Sequence, residues 1–328
     1  MPPALPSDNS RPALVLGGGG AAGVMWLFGL TLGLRQTGID LSLARRIVGT
    51  SAGAVLGANL AGGVDLAALL ASLPAEPPAS STPSHDPTRP GAAEPIPSSA
   101  AGPGPSNAPE STPPSAVEPI RPGATSNPAD AQSSPTDSLQ LNAAETDPLE
   151  RRRRIGAQAL ELDLGDPADH IARMSQLVGI TDWPDHDLLI TAVDATTGEL
   201  RTWTRDGKAT LPEAIAASSA IPGVFPAIPI DGSHFLDGGL RSPINADLAA
   251  GAPLIVILEP FAHVFRRAAT DRELAGAPTI SITADTPAIT AFGSNLFDPA
   301  ALRPAFEAGL RQAAEASTRL RDVWPASR

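Results

Sequence analysis

Ser51 stands between two glycines in the run Gly49-Thr50-Ser51-Ala52-Gly53, a G-x-S-x-G pattern. Ile47 and Val48 ahead of it read as the end of a buried strand, and the small side chains after it, AGAVLGANLAGG, read as a helix. A strand, a tight glycine-flanked turn and a helix hold a serine hydroxyl where it can attack a carbonyl carbon. A serine there also makes an ordinary helix N-cap. Chemistry therefore needs two partners: a base for the hydroxyl proton, and donors for the oxygen that becomes negative.

Donors are offered by the loop from Gly17 to Gly23, GGGGAAG. Backbone N–H groups of Gly18, Gly19 and Gly20 can stabilise an oxyanion, since no Cβ blocks their approach to substrate. Losing one such donor typically costs about 10²–10³ in rate. Gly18, Gly20 and Gly23 also satisfy the dinucleotide pattern G-x-G-x-x-G, with Asp40 at a suitable distance for a ribose contact. That reading needs the second strand to end at the acid, whereas Asp40 precedes the strand and the strand leads into Ser51. For the base, the chain order Ser…Asp…His admits a triad of Ser51, Asp237 and His263. His234 suits Asp237 poorly, because residues three apart on a strand face opposite ways. Asp237 can instead act directly on Ser51 as a dyad, opened to a partner by Gly238 and Gly239. An ordinary aspartate, pKa about 3.9, is a weak base for an alcohol. The oxyanion donors and the helix start beneath Ser51 then carry more of the catalysis.

These residues must be positioned by alternating strands and helices. The sequence predicts a strand over Ala13–Leu16, a helix from about Val24 to Gln36, a strand at Arg46–Val48 and a helix from Ala52 to Leu70. That alternation calls for a mostly parallel sheet with helices on both faces, an α/β fold. Residues 1–10 read as a loose tail. Residues 74–148 hold half of the chain's 36 prolines, without Phe, Trp or Tyr, and read as a disordered insertion that cannot bury enough apolar surface to order itself. Residues 11–73 and 149–322 form the expected catalytic domain. Arg151–Arg154 surround a helix axis and read as a solvated helix start, with anionic lipid headgroups the alternative. Beyond them the sequence predicts a helix at Ala168–Leu177, a hairpin of Leu188–Val193 with Leu200–Thr204, and a helix at Pro212–Ser219. Two short extended pieces about Asp231-Gly232, a strand in PLIVILE (253–259) and a helix at Ala300–Leu320 complete the reading. Asp194, Glu199, Ser218 and Ser219 read as solvated or structural.

Composition narrows the function. A net charge of −12 argues against nucleic acid. There is no cysteine, and His85, His170, His186, His234 and His263 show no metal-binding spacing, so neither a metal nor a cofactor is expected. Ala13 to Leu34 is uncharged and long enough to span a membrane. Four successive glycines cost a helix about 1 kcal/mol each, so strand, loop and helix fit these residues better. Asp8 and the lack of a clean cleavage site weaken a signal peptide, and the chain reads as cytoplasmic.

Taken together, the motifs resemble those of the patatin-like phospholipases, serine acyl hydrolases with a Ser-Asp dyad. LVLGGGGAAG resembles the family's glycine-rich loop, GTSAGA its nucleophile elbow, and AIAASSAIPGVFPAI…FLDGG its Asp-Gly-Gly segment; LLITAVDATTGEL has the look of its central hairpin. The resemblance spans about Leu14 to Leu258. It implies a three-layer α/β/α fold, with Ser51 as nucleophile and Asp237 as base. It further implies an oxyanion hole at the Gly18–Gly20 loop and no metal or histidine. A lipid or other ester is the implied substrate, met through transient contact with a membrane surface. One departure is Ala22, where the family's loop often carries Arg or Lys. That weakens the expectation of phospholipid as substrate, and sets a catalytically silent binding or scaffold protein of the same fold as the rival reading.

Overall fold

Leu14 and Leu16 leave β1 (Ala13–Leu16) on one side, Ala13 and Val15 on the other, and all four are buried. A strand covered on both faces requires layers above and below its sheet. The computed structural model describes residues 11–72, 147–295 and 297–325. All of these fall in one compact unit, formed by residues 1–76 and 133–328; a second unit, 77–132, lies outside the described residues. So do the expected N-terminal tail and nearly all of the expected insertion.

The sheet has eight strands, adding β2 (Arg46–Gly49), β3 (Asp187–Asp194), β4 (Leu200–Trp203), β5 (Ile228–Ile230), β6 (Ser233–Asp237), β7 (Ile255–Glu259) and β8 (Thr279–Thr283). Its order is β5-β6-β3-β2-β1-β7-β8, with β4 paired to β3. The run from β3 to β8 is parallel, while β4, β5 and β6 join antiparallel. One face packs Leu14, Leu16, Ile47, Val256 and Leu258 beneath α1 (Gly20–Gln36), α2 (Ala52–Ala61), α6 (Leu211–Ser218) and α8 (Pro299–Leu320). Trp26 of α1 donates its indole N–H to Gln312 of α8 at 3.0 Å, satisfying a polar group in that core. On the other face Val193 and Leu236 pack under Ile155 and Ala159 of α4 (Pro148–Glu161). Val15, Val48 and Ile257 pack under Ala246 and Ala249 of a short 3₁₀ turn. This is the three-layer α/β/α fold with a mostly parallel sheet that the resemblance implies.

Several boundaries differ from the sequence reading. Helix α1 begins at Gly20, one turn before Val24, so the end of the glycine loop is itself the helix start. The helix expected over Ala52–Leu70 is two, α2 and α3 (Leu66–Ser72), because Gly62 and Gly63 end the first and Gly63 turns with φ +65°. The arginine run lies inside α4 and is partly engaged: Arg152 Nε donates to Gly198 O at 2.6 Å and Arg153 Nε to Thr197 O at 3.0 Å. Those bonds hold the β3–β4 turn. Helix α5 (Pro167–Ser175) is as expected to within two residues, while β8 and α7 (Thr286–Phe292) have no counterpart in the sequence reading.

Candidate active site

Strand β3 brings the site together. Its Ile190 pairs with Gly49, the last residue of β2, and its Ala192 pairs with Asp237, the last residue of β6. Because β4 occupies the opposite edge along Ile190–Val193, β2 and β6 share one edge of β3 and run toward each other. They stop on either side of Thr191. The turn after β2 carries Ser51, so topology alone sets the serine against the aspartate.

Ser51 has φ 53° and ψ −117°. That conformation costs a residue with a side chain about 1–3 kcal/mol and persists only where its surroundings enforce it. The hydroxyl makes no capping bond to α2, so the N-cap role does not account for this serine. Its backbone N–H donates to Ser218 Oγ at 2.9 Å, and Thr50 N–H donates to Leu16 O at 3.0 Å. The flanking glycines are required by close approach: a Cβ on Gly53 would lie 2.0 Å from Leu16 O, and one on Gly49 would lie 2.7 Å from Ala54 Cα.

Asp237 is buried, its carboxylate receives the N–H of Gly239 at 2.7 Å, and the Ser51 hydroxyl lies close enough to favour its charged form. Burial dominates over both and raises its pKa to about 7. A carboxylate so raised is a stronger base than an ordinary aspartate. Capping its turn and facing Ser51 are compatible, since the same carboxylate does both. Neither His263 nor His234 is a hydrogen-bond partner of Asp237 among the described residues. The ring of His263 instead packs against Phe261 and Phe292, with centroids 5.7 and 6.1 Å away.

The glycine loop closes the third side. A Cβ on Gly18 would lie 3.5 Å from Ser51 Cβ. The Gly18 N–H is already given to Pro243 O at 2.8 Å. Among the described residues, no acceptor meets the N–H groups of Gly19 and Gly20, which open α1. Ala22 is buried in the core beneath α1, so a basic side chain there would bury a charge. Asp40 caps the 3₁₀ turn ahead of β2, accepting from Ser42 N at 3.0 Å, and does not stand at the end of that strand. The ribose contact of a dinucleotide-binding fold is therefore not formed. Among the described residues no group of three or more His, Asp or Glu is placed to hold a metal, and no helix is long and apolar enough to cross a membrane.

Behind the pair lies a polar network without a local sequence signal. Asn245, buried and left-handed at φ 49°, donates Nδ2 toward Thr50 Oγ1 (3.1 Å), Gly238 O (3.2 Å) and Ser242 O (2.9 Å). Thr50 and Thr191 hydroxyls meet at 2.9 Å. Ser242 Oγ donates to Asp271, which also takes the N–H of Ala246 and Ala268. Ser218, read as structural, holds the elbow directly.

The elbow after β2 and the Asp-Gly-Gly turn after β6 thus face each other across Thr191 of β3. The model of the family described as Patatin-like phospholipase matches residues 105–250, a span that contains Asp237 and begins downstream of Ser51. Among solved structures the chain is similar to VipD from Legionella pneumophila, with a TM-score of 0.41 and 12% identity over 94% of this chain and 67% of that one. No curated protein matches the chain. The family supports lipid acyl hydrolysis as the general activity.

Proposed function

We propose that this chain hydrolyses carboxylic esters of lipids through an acyl-serine intermediate, with Ser51 as nucleophile and Asp237 as general base. The observation that carries the reading is a strained, non-capping serine beside a buried carboxylate of raised pKa. Ser51 Oγ attacks the ester carbonyl carbon while its proton passes to Asp237. The carbonyl oxygen becomes an oxyanion and is received by the N–H groups of Gly19 and Gly20 rather than Gly18, aided by the starts of α1 and α2. Collapse breaks the ester C–O bond, and the departing alcohol takes the proton from Asp237. Water then attacks the acyl-serine, giving its proton to Asp237, and the acid leaves as the proton returns to Ser51. The substrate is met transiently at a membrane surface. The rival is a binding protein of the same fold that turns nothing over.

Labelling with a small neutral fluorophosphonate, followed by peptide mass spectrometry, separates the two. A single adduct on Ser51, lost in Ser51→Ala and strongly reduced in Asp237→Asn, is expected. An unlabelled native chain would leave the binding protein as the reading.

A further inference from the structure

Ser218 is the last residue of α6 and is fully buried. It stands among Ala214, Ala216, Ala217 and Ala220, all of them in the core. Alanine is the better helix former, and a buried hydroxyl needs a hydrogen bond, so a serine at this place is there for a partner. The partner is the backbone of Ser51, whose N–H donates to Ser218 Oγ at 2.9 Å across 167 positions of the chain. The neighbouring hydroxyl makes a contrast. Ser219 Oγ donates back to Ile215 O at 2.7 Å and so only closes its own helix end.

The bond does for Ser51 what α2 cannot. A residue at the N-cap has no intrahelical acceptor for its N–H, and Ser51 is buried, so its N–H left alone would be costly. Its positive φ likewise persists only where the surroundings enforce it. Two positions beyond Ser218, the carbonyl of Ala220 accepts the N–H of Asp237 at 3.0 Å. The end of α6 therefore holds both members of the pair, Ser51 through a hydroxyl and Asp237 through a carbonyl. The start of α6 is fastened too, by the reciprocal bonds of Thr210 and Glu213. Two contacts so close together on one pinned helix set the separation of the pair. We propose that Ser218 is a positioning residue, whose Oγ holds the Ser51 backbone and thereby keeps the Ser51 hydroxyl beside the Asp237 carboxylate. Its consequence for rate rests on the reading of Ser51 as the nucleophile.

The titration of Asp237 reports on this placement without any turnover. Burial raises it, while the Gly239 N–H and the Ser51 hydroxyl lower it; of the three, the hydroxyl is the one that Ser218 places. The experiment is a ¹³C NMR titration of the Asp237 carboxyl, its signal assigned by its loss in Asp237→Asn, in the native chain, in Ser218→Ala and in Ser219→Ala. Ser218→Ala is expected to titrate at a higher pH than the native chain, and Ser219→Ala at the native pH. A site merely loosened by the substitution would admit water and titrate lower. A midpoint that falls or stays in Ser218→Ala would overturn the proposal. Turnover of a soluble neutral ester is the second readout. In Ser218→Ala, kcat should fall on the order of a hundredfold, as for a misplacement of about 1 Å, with KM unchanged, while Ser219→Ala keeps the native kcat. Ser218→Cys, similar in size and a weak acceptor, should recover part of the loss. Equal losses in Ser218→Ala and Ser219→Ala would assign the effect to the helix end and overturn the proposal. A native chain that neither turns over an ester nor takes up a fluorophosphonate, yet whose Asp237 titration rises in Ser218→Ala, overturns the reading of Ser51 as nucleophile alone and leaves Ser218 as the residue that places it.

Discussion

At the scale of the residue, the burial of Asp237 that would serve the proposed catalysis costs stability. Its pKa stands near 7 because burial disfavours the charged form. The folded chain therefore binds a proton more tightly than the unfolded one, whose aspartate titrates near 4. Below the unfolded pKa this group costs the fold nothing. Between pH 4 and 7 the unfolded state gains its charge first, so stability falls as pH rises, and above about 7 the loss is complete. Asp237→Asn keeps the neutral shape at every pH. Its melting temperature should lie close to that of the native chain at or below about pH 4 and exceed it at pH 8, by an amount on the order of a few kcal/mol in stability. A gap that shrinks with rising pH would show that the carboxylate is not destabilised by burial. The same titration should appear in turnover: kcat/KM on a neutral ester is expected to climb through a midpoint near pH 7, because only the ionised form accepts the serine proton.

At the scale of the element, the site exists because β2 and β6 end against each other on β3, and Asn245 ties the two ends. Its amide donates to Thr50, beside the serine, and to Gly238, beside the aspartate. Asn245→Ala removes a buried donor from several acceptors at once and leaves a side chain with no reason to stay at φ 49°. A loss of about 2–4 kcal/mol in urea denaturation is expected, with Ser51 labelling slowed as the ends part. Labelling at the native rate would show that the elbow and the Asp-Gly-Gly turn hold their places without it. The sequence reveals the parts whose cause is local. Ser51, Gly49, Gly53 and the Gly18–Gly20 loop are legible because strand, turn and helix follow one another within a few residues. The edge strand β8 alternates apolar and hydroxyl residues, yet is too short and too exposed to stand out as the buried PLIVILE strand does. Asn245, Ser218 and Asp271 are not legible at all. Each acquires its partner only when strands far apart in the chain become neighbours, and no spacing in the sequence records that.

At the scale of the whole molecule, two fields of opposite sign act on an anionic substrate. The chain carries a net charge of −12, so a surface crowded with negative headgroups is repelled at distances up to about a Debye length, roughly 10 Å in 0.1 M salt. Beside Glu259 the exposed guanidinium groups of Arg266 and Arg272 set up a local field of the opposite sign. Salt screens both fields, and its effect on the rate should therefore depend on how the headgroup is presented. Hydrolysis of an anionic ester packed in vesicles is expected to rise as salt increases from 0.02 to about 0.2 M, as the repulsion between surfaces collapses. Hydrolysis of the same ester dissolved as monomers should fall over that range, through KM rather than kcat, because only the local attraction is lost. A neutral ester in neutral vesicles should respond to neither. If monomers and vesicles respond with the same sign, one field governs both encounters: a fall in both would assign the approach to the arginines, and a rise in both would assign it to the acidic surface.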